Sequence, residues 1–365
     1  MSGLYYKIIS RDRNFFYTPI FFLLRVCSFF YGCGLLVRNW AYRLGALRSH
    51  RLDRRVISVG NLTLGGTGKT PLVMLIAQTL KSQGRKPAIL SRGYGGDSKD
   101  PVNVVADGER VLLAADRAGD EPVMMARRLG NVPVLTGPNR YQTGRYAIDR
   151  LGVDTLILDD GFQHRALARD LNILLMDHRA PLGNGKLFPA GELREPIEEA
   201  KRADLICFTR HSPSGQPGAL PLPEKIPVIY TATEADALVD LAEGRERAED
   251  SFAGQKVAAF CGIAKPEEFK KTLGATGGDL VFFRAFKDHH RYSREELETI
   301  DRSAEDKGAK CIIVSEKDAV KIDPSVMQLP IYFLSLRVKI IEGEEIFNRL
   351  ILDNPSRKMA ETPPG

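Results

Sequence analysis

The stretch VGNLTLGGTGKTP at residues 59–71 sets glycines, a lysine and a hydroxyl at a spacing suited to a polyphosphate. Gly65, Gly66 and Gly68, with Thr67 among them, leave the backbone free to point successive N–H groups at phosphate oxygens, and a helix starting near Lys69 adds its positive dipole end. Lys69 would reach the β- and γ-phosphates, and the Thr70 hydroxyl would ligate Mg²⁺. The general pattern G-x-x-x-x-G-K-S/T wants glycine where Thr63 stands, so by that rule the loop lacks one piece. Further along, VDTLILDDGFQH (153–164) is an apolar run ending in two carboxylates. A strand ending there places Asp159 beside the loop, to hold the metal or its waters, with Asp160 next to it.

Such a loop needs a strand before it and a helix after it. RVISVG (55–60) is an apolar run of strand length, and TPLVMLIAQTLKSQG (70–84) repeats apolar residues at helical spacing up to Gly84. The alternation continues with runs PAILS (87–91), VPVLT (132–136), TLILD (155–159), LNILLM (171–176) and LICFT (205–209). Between them lie helix-like EPVMMARRLG (121–130) and NRYQTGRYAIDRLG (139–152), while VNVVADGERVLL (102–113) reads as an inserted hairpin on its Asp-Gly turn. The pattern predicts an α/β fold of P-loop NTPase type, a mostly parallel sheet with helices on both faces. Residues 212–227 turn to Ser, Pro and Gly, the composition of a domain edge. Beyond it KVAAFCGI (256–263), DLVFFRAF (279–286), KCIIVS (310–315) and IYFLSL (331–336) alternate with helices from Pro266 and Ser293, a second and smaller α/β domain. Ser293 and Glu296 form a capping box that leaves DHHRY (288–292) in the loop ahead of the helix. The expected organisation is an N-terminal segment at 1–50, a P-loop domain at 51–225 and the smaller domain at 226–365.

With 43% hydrophobic residues in 365, the chain is globular and long enough for two domains. Five scattered cysteines without metal or redox spacing fit a reducing compartment. The net charge of +6 hides an asymmetry: residues 1–55 hold ten Lys/Arg against two Asp, a balance of +8, and the remainder 42 against 44, a balance of −2. Within the basic segment, FFYTPIFFLLRVCSFFYGCGLLVRNW (15–40) is aromatic and aliphatic. A cleaved signal peptide lacks its small-residue site. A span from Ile20 to Val37 must accommodate Arg25, at ~2.5–3.5 kcal/mol if central. An interfacial helix flanked by Arg11, Arg13, Arg38, Arg43 and Arg48 carries no such cost and suits anionic headgroups, so lying on a membrane is favoured over spanning it and over a buried structural helix. Nucleic acid is not expected, because the cations flank a greasy stretch.

Two P-loop classes are testable on the residues. Guanine readers carry N-K-x-D, and in SEKD (315–318) the lysine and aspartate are adjacent. Deviant-loop membrane ATPases carry K-G-G-x-G-K-S/T, and here Leu64 takes the first lysine's place, which leaves that class as the alternative. SVGNLTLGGTGKTP, LSRGYGG (90–96), GDEP (119–122), GPNR (137–140), ILDDGFQHR (157–165), GKLFPAGELREP (185–196), DHHRY and SEKDAVKI (315–322), in this order, resemble the tetraacyldisaccharide 4'-kinase family of lipid A synthesis over nearly the whole chain. That family's loop is N-x-x-x-G-G-x-G-K-T, so Thr63 is regular for it.

The resemblance implies an enzyme on the cytosolic face of the inner membrane that moves the ATP γ-phosphoryl to the 4'-hydroxyl of an acylated glucosamine disaccharide 1-phosphate; a monomer is expected. It further implies two α/β domains with the site in the cleft between them. On it, Thr70 and Asp159 organise Mg²⁺ with Asp160 and Gln163 in or near its surroundings. Arg140 binds acceptor or γ-phosphate, against the bland reading of a solvated first-turn arginine, and Arg92 faces the cleft. A sugar hydroxyl must lose its proton during attack, so a carboxylate or histidine has to lie within hydrogen-bond reach. Asp120 in AGDEP is the candidate base, against the alternative of a plain N-cap; Glu121 could equally be the metal-side carboxylate. His289 is its expected partner, ahead of His290, His164 and Asp288.

Overall fold

The structure, a computed structural model, describes residues 3–10, 14–211, 220, 222–223 and 225–353. It opens with helices α1 (Gly3–Ile9) and α2 (Thr18–Arg43), followed by β1 (Arg55–Asn61), α3 (Lys69–Ser82), β2 (Pro87–Ser91) and β3 (Asn103–Ala106). Next come α4 (Ala115–Ala118), α5 (Asp120–Leu129), β4 (Val134–Thr136), α6 (Arg140–Leu151), β5 (Thr155–Asp159), β6 (Leu171–Asp177) and β7 (Leu205–Thr209). The second half holds β8 (Val228–Asp240), β9 (Glu246–Ala248), β10 (Lys256–Cys261), α7 (Pro266–Gly274), β11 (Asp279–Ala285) and α8 (Arg294–Asp306). It closes with β12 (Ile312–Ser315), α9 (Glu316–Ala319), β13 (Ile331–Glu342) and α10 (Glu344–Leu352).

Among the described residues all strands join one sheet, ordered β11-β10-β12-β13-β8-β7-β6-β1-β5-β2-β4-β3, with β9 on β8. From β4 through to β8 every neighbour is parallel, as in the block β11-β10-β12-β13. The two blocks meet at the antiparallel pair β13/β8, where Tyr332 faces Asp240 and Glu342 faces Tyr230. Strand β8 carries Thr, Glu and Asp among its apolar residues and is not evident from hydrophobic runs. The expected hairpin at 102–113 is reduced to the single bridge Ala106–Val111, and β3 pairs antiparallel with β4 at the sheet edge. The Ser/Pro/Gly edge at 212–227 lies mostly outside the described residues.

The apolar face of α3, with Leu72, Val73, Ile76, Ala77 and Leu80, is buried against β1 and β5. Phe347 and Ile351 of α10 enter the same cluster, and Arg55 at the start of β1 donates to the carbonyls of Leu350 and Ile351. Helix α10 therefore fastens onto the first half of the chain, Phe347 alone contributing ~1.5–3 kcal/mol. The capping box of Ser293 and Glu296 forms as expected and fixes the loop before α8.

Helix α2 buries a seven-residue-spaced stripe, Phe21, Ser28 and Leu35, then Asn39. Along it Ser28 Oγ donates to Leu187 O (2.8 Å), Tyr31 OH to Arg194 O (2.8 Å) and Asn39 Nδ2 to Glu199 Oε1 (3.0 Å), and Arg38 pairs with buried Glu195. The opposite face leaves Phe22, Phe29, Phe30, Val37 and Trp40 exposed. By length and composition Phe15–Arg43 could cross a membrane. Arg11 and Arg13 lie outside the described residues.

Candidate active site

Strand β1 delivers Asn61 to the start of the glycine loop, and α3 begins at Lys69 behind Gly68, whose φ of +83° suits glycine. Asn61 braces the loop by donating to Thr63 O (2.8 Å). Lys69 Nζ lies 3.2 Å from Asn61 Oδ1 and 3.5 Å from Asp160 Oδ1. Arg194 forks onto Asp160 at 2.8 and 3.1 Å. Burial would raise the Asp160 carboxyl, but Lys69 and Arg194 outweigh it and hold it at about 2. Asp159, the last residue of β5, is buried, with Oδ2 accepting from Ser91 Oγ at 3.2 Å and Oδ1 without a partner. Burial, then the negative charges of Glu121 and Asp160, push its carboxyl up to about 7. The Thr67 hydroxyl is buried and unpartnered as well, and Thr70 is half-buried in the first turn of α3.

Asp120 is the first residue of α5, but the N-cap is Gly119 and no side chain caps the helix. The Gly119 φ of +92°, and Tyr94 O at 2.4 Å from where a Cβ would stand, admit only glycine there. Asp120 is buried, with Oδ2 3.0 Å from His289 Nδ1 and 3.2 Å from Lys321 Nζ. Burial favours its neutral form, yet the His289 hydrogen bond and the Lys321 charge prevail and keep the carboxyl below its ordinary range. His289 adopts φ 60°, and its ring meets Tyr94 edge-on at 5.5 Å. Lys317 Nζ reaches His289 Nε2 (3.2 Å), Asp288 Oδ1 (3.3 Å) and Glu121 Oε1 (3.3 Å). Glu121 joins the two groups: it follows Asp120 in the chain, and its charge is felt at Asp159.

Arg140 is 4% exposed and donates Nη1 to Gly137 O (2.8 Å), so it is not a solvated first-turn arginine. Burial, with Arg92 nearby, lowers it to about 10 against the pull of Asp159 and Asp160. Arg92 is exposed and lines a cavity of about 420 Å³ with Tyr94, Arg117, Thr136 and Gly137. Gln163 turns to the base of the loop, its Nε2 donating to Asn61 O (2.9 Å). His290 stands apart from the Asp120 pair, bonded to Glu296 (3.0 Å) and stacked on Phe286. His164 has an unpartnered Nε2, and burial, then Arg140, Arg169 and Arg92, depress it to about 4. Its ring is therefore expected to stay neutral at pH 6, where a free histidine is largely charged, with its proton NMR titration falling near pH 4; a midpoint near 6.5 would show that neither burial nor the arginines act on it.

The residue types alone did not single out Asn61, Ser91, Arg194, Lys317 and Lys321. Lys317 and Lys321 stand four apart in SEKDAVKI, a spacing that places both on one side of a helical turn. Among the described residues no cluster of three or more His, Cys, Asp or Glu is preformed for a metal.

Residues 20–355 match the family described as tetraacyldisaccharide-1-P 4'-kinase. Similar curated proteins named tetraacyldisaccharide 4'-kinase include one from Syntrophus aciditrophicus, 45% identical over 358 residues and 94% of both chains. Another, from Geobacter metallireducens, is 44% identical over 318 residues, 86% of this chain and 92% of its own. A solved structure described as LpxK from Aquifex aeolicus in complex with ATP superposes with TM-score 0.77 at 33% identity, covering 91% of this chain and 98% of that one. A glycine phosphate loop and a half-buried carboxylate–imidazole pair thus accompany similarity along almost the whole length, and the chain belongs to the tetraacyldisaccharide-1-P 4'-kinase family.

Proposed function

We propose that the chain transfers the γ-phosphoryl of ATP to the 4'-hydroxyl of an acylated glucosamine disaccharide 1-phosphate, with Asp120 receiving the hydroxyl proton and His289 orienting Asp120. The observation that carries this is the Asp120–His289 hydrogen bond set beside the glycine loop through Glu121. Asp120 is anionic at neutral pH, held so by the His289 hydrogen bond and the Lys321 charge. Lys69 and the loop amides hold the phosphates, and Arg140 and Arg92 supply positive charge where the acceptor and γ-phosphate meet. Family membership sets aside the deviant-loop membrane ATPase.

The residues also suit Mg²⁺. Asp159 keeps a buried oxygen without a partner, and the neighbouring carboxylates of Glu121 and Asp160 load the spot with negative charge that a divalent cation would neutralise. Asp159, Thr70 and Glu121 would hold it, with Asp160 and Gln163 around them. When bound it would offset charge on the phosphoryl oxygens.

The test is incubation with γ-labelled ATP and the acylated disaccharide 1-phosphate in mixed micelles. Label is expected on the lipid at the 4' position; inorganic phosphate released with the lipid unlabelled would contradict the proposal.

Helix α2 is proposed to lie on the cytosolic face of the inner membrane. Hydrogen bonds from Ser28 to Asn39 run along its buried stripe into the protein body, and a spanning helix would have to give them up in hydrocarbon. Its exposed Phe22, Phe29 and Phe30 suit an apolar boundary only on the outer face. The double variant Phe22→Asp/Phe29→Asp is expected to lose sedimentation with anionic vesicles while ATP binding persists; undiminished sedimentation at physiological salt would assign that face another role.

A further inference from the structure

We propose that Tyr6 is a nucleotide-binding residue: helix α1 folds back beside the glycine loop, and the Tyr6 hydroxyl donates a hydrogen bond to a phosphate oxygen of the ATP held there. The inference rests on the reading of residues 59–71 as the phosphate site.

The Tyr6 hydroxyl oxygen stands 3.7 Å from where a Cβ on Gly65 would lie, and a Cβ on Gly66 would meet nothing within 4 Å. The hydroxyl therefore borders open space at the loop. Its neighbour in the chain shows the contrast: the Tyr5 hydroxyl lies against the carbonyls of Gly191 (3.0 Å) and Pro189 (3.2 Å), whereas the Tyr6 hydroxyl has no hydrogen-bond partner among the described residues. Burial, then the negative charge of Glu192, raise the Tyr6 phenol above its ordinary value, so it keeps its proton and can donate. Among the described residues the amides of Gly65, Gly66, Thr67 and Gly68 also donate to no protein acceptor. Donors from a phenol and from a run of backbone amides share one kind of partner, an anion between them.

The tyrosine is held in this place by the segment GKLFPAGELREP and its flank. Ile9 of α1 is buried, and its carbonyl accepts from Asn184 Nδ2 at 3.0 Å. Tyr5 meets Tyr6 edge-on at 5.7 Å and lies 6.5 Å from the Phe188 ring, which in turn meets Tyr31 of α2 edge-on at 5.8 Å. The same segment grips the glycine loop, since Leu64 N donates to Glu192 O (2.7 Å) and Thr63 bridges Leu193. One stretch of chain thus sets both the loop and α1, and so the distance between Gly65 and Tyr6. A ring that served packing alone would need no hydroxyl there.

The experiment is calorimetric titration of full-length protein in micelles with the non-hydrolysable β,γ-methylene analogue of ATP and Mg²⁺, with melting curves and steady-state kinetics, on the parent, Tyr6→Phe and Lys69→Ala. Tyr6→Phe removes one oxygen and leaves the ring. It should weaken binding of the analogue about tenfold and raise KM for ATP, the size of one hydrogen bond to a charged group, with the melting temperature of the nucleotide-free protein unchanged. Parent-like affinity in Tyr6→Phe overturns the proposal. So does weaker binding accompanied by lower melting, which would make the hydroxyl a structural group. Parent-like affinity in Tyr6→Phe beside a crippled Lys69→Ala would remove Tyr6 alone. Near-normal turnover in Lys69→Ala would remove the loop as the phosphate site, and the role of Tyr6 with it.

Discussion

Lys69→Ala should lower phosphoryl transfer by ~10²–10³-fold or more, the usual size of losing one preorganised charge from a transition state, with little change in melting temperature. The side chain is 16% exposed and touches Asn61 and Asp160, neither of them part of an apolar cluster. Its removal leaves Asp160 still forked by Arg194, so no buried carboxylate is stranded. The ammonium has no role in the fold that Arg194 does not share, whereas a γ-phosphate would have no substitute for it. Turnover and melting of the purified variant check this together. Near-normal turnover would mean that the glycine loop does not hold the transferred phosphate.

The second large effect concerns the base. Asp120→Ala and His289→Ala should each slow kcat by ~10²–10⁴-fold, the range of general-base catalysis, with ATP affinity nearly unchanged because neither residue belongs to the loop. The structure separates this from a capping role. Gly119 holds the N-cap position, so Asp120→Ala removes no cap, and whatever it costs in rate comes from the carboxylate itself. Its stability cost is a different matter: Lys321 and His289 lose a buried partner, of order 1–3 kcal/mol, so melting curves must accompany the kinetics.

The P-loop half is legible in the sequence because its signals are local: strand, glycine turn and helix follow one another within 55–84, and β2, β4, β5, β6 and β7 each lie in a short apolar run. Strand β8 is not, since its thirteen residues carry polar groups on half-buried positions and its long pairing is with β13, about a hundred residues away. For the same reason nothing in 344–352 announces that Phe347 and Ile351 complete the core of the first half. In the site, Asp120 and His289 are separated by 169 residues, and spacing alone cannot join them; the ordered motifs of the family did. Lys317 and Lys321 stand in the motif SEKDAVKI, where residue type and spacing assign neither a partner. Lys317 on α9, packed against α5, is 17% exposed, and Lys321 just beyond that helix 7%.

The central claim is that the working base is assembled from the two halves of the sheet, Asp120 from one and His289 from the other. A double-mutant cycle in kcat on the lipid substrate tests it most directly. If the two act as a unit, the double variant Asp120→Ala/His289→Ala is little slower than the poorer single variant. Multiplicative losses, each variant slowing the reaction by its own factor whether or not the other is present, would contradict the account.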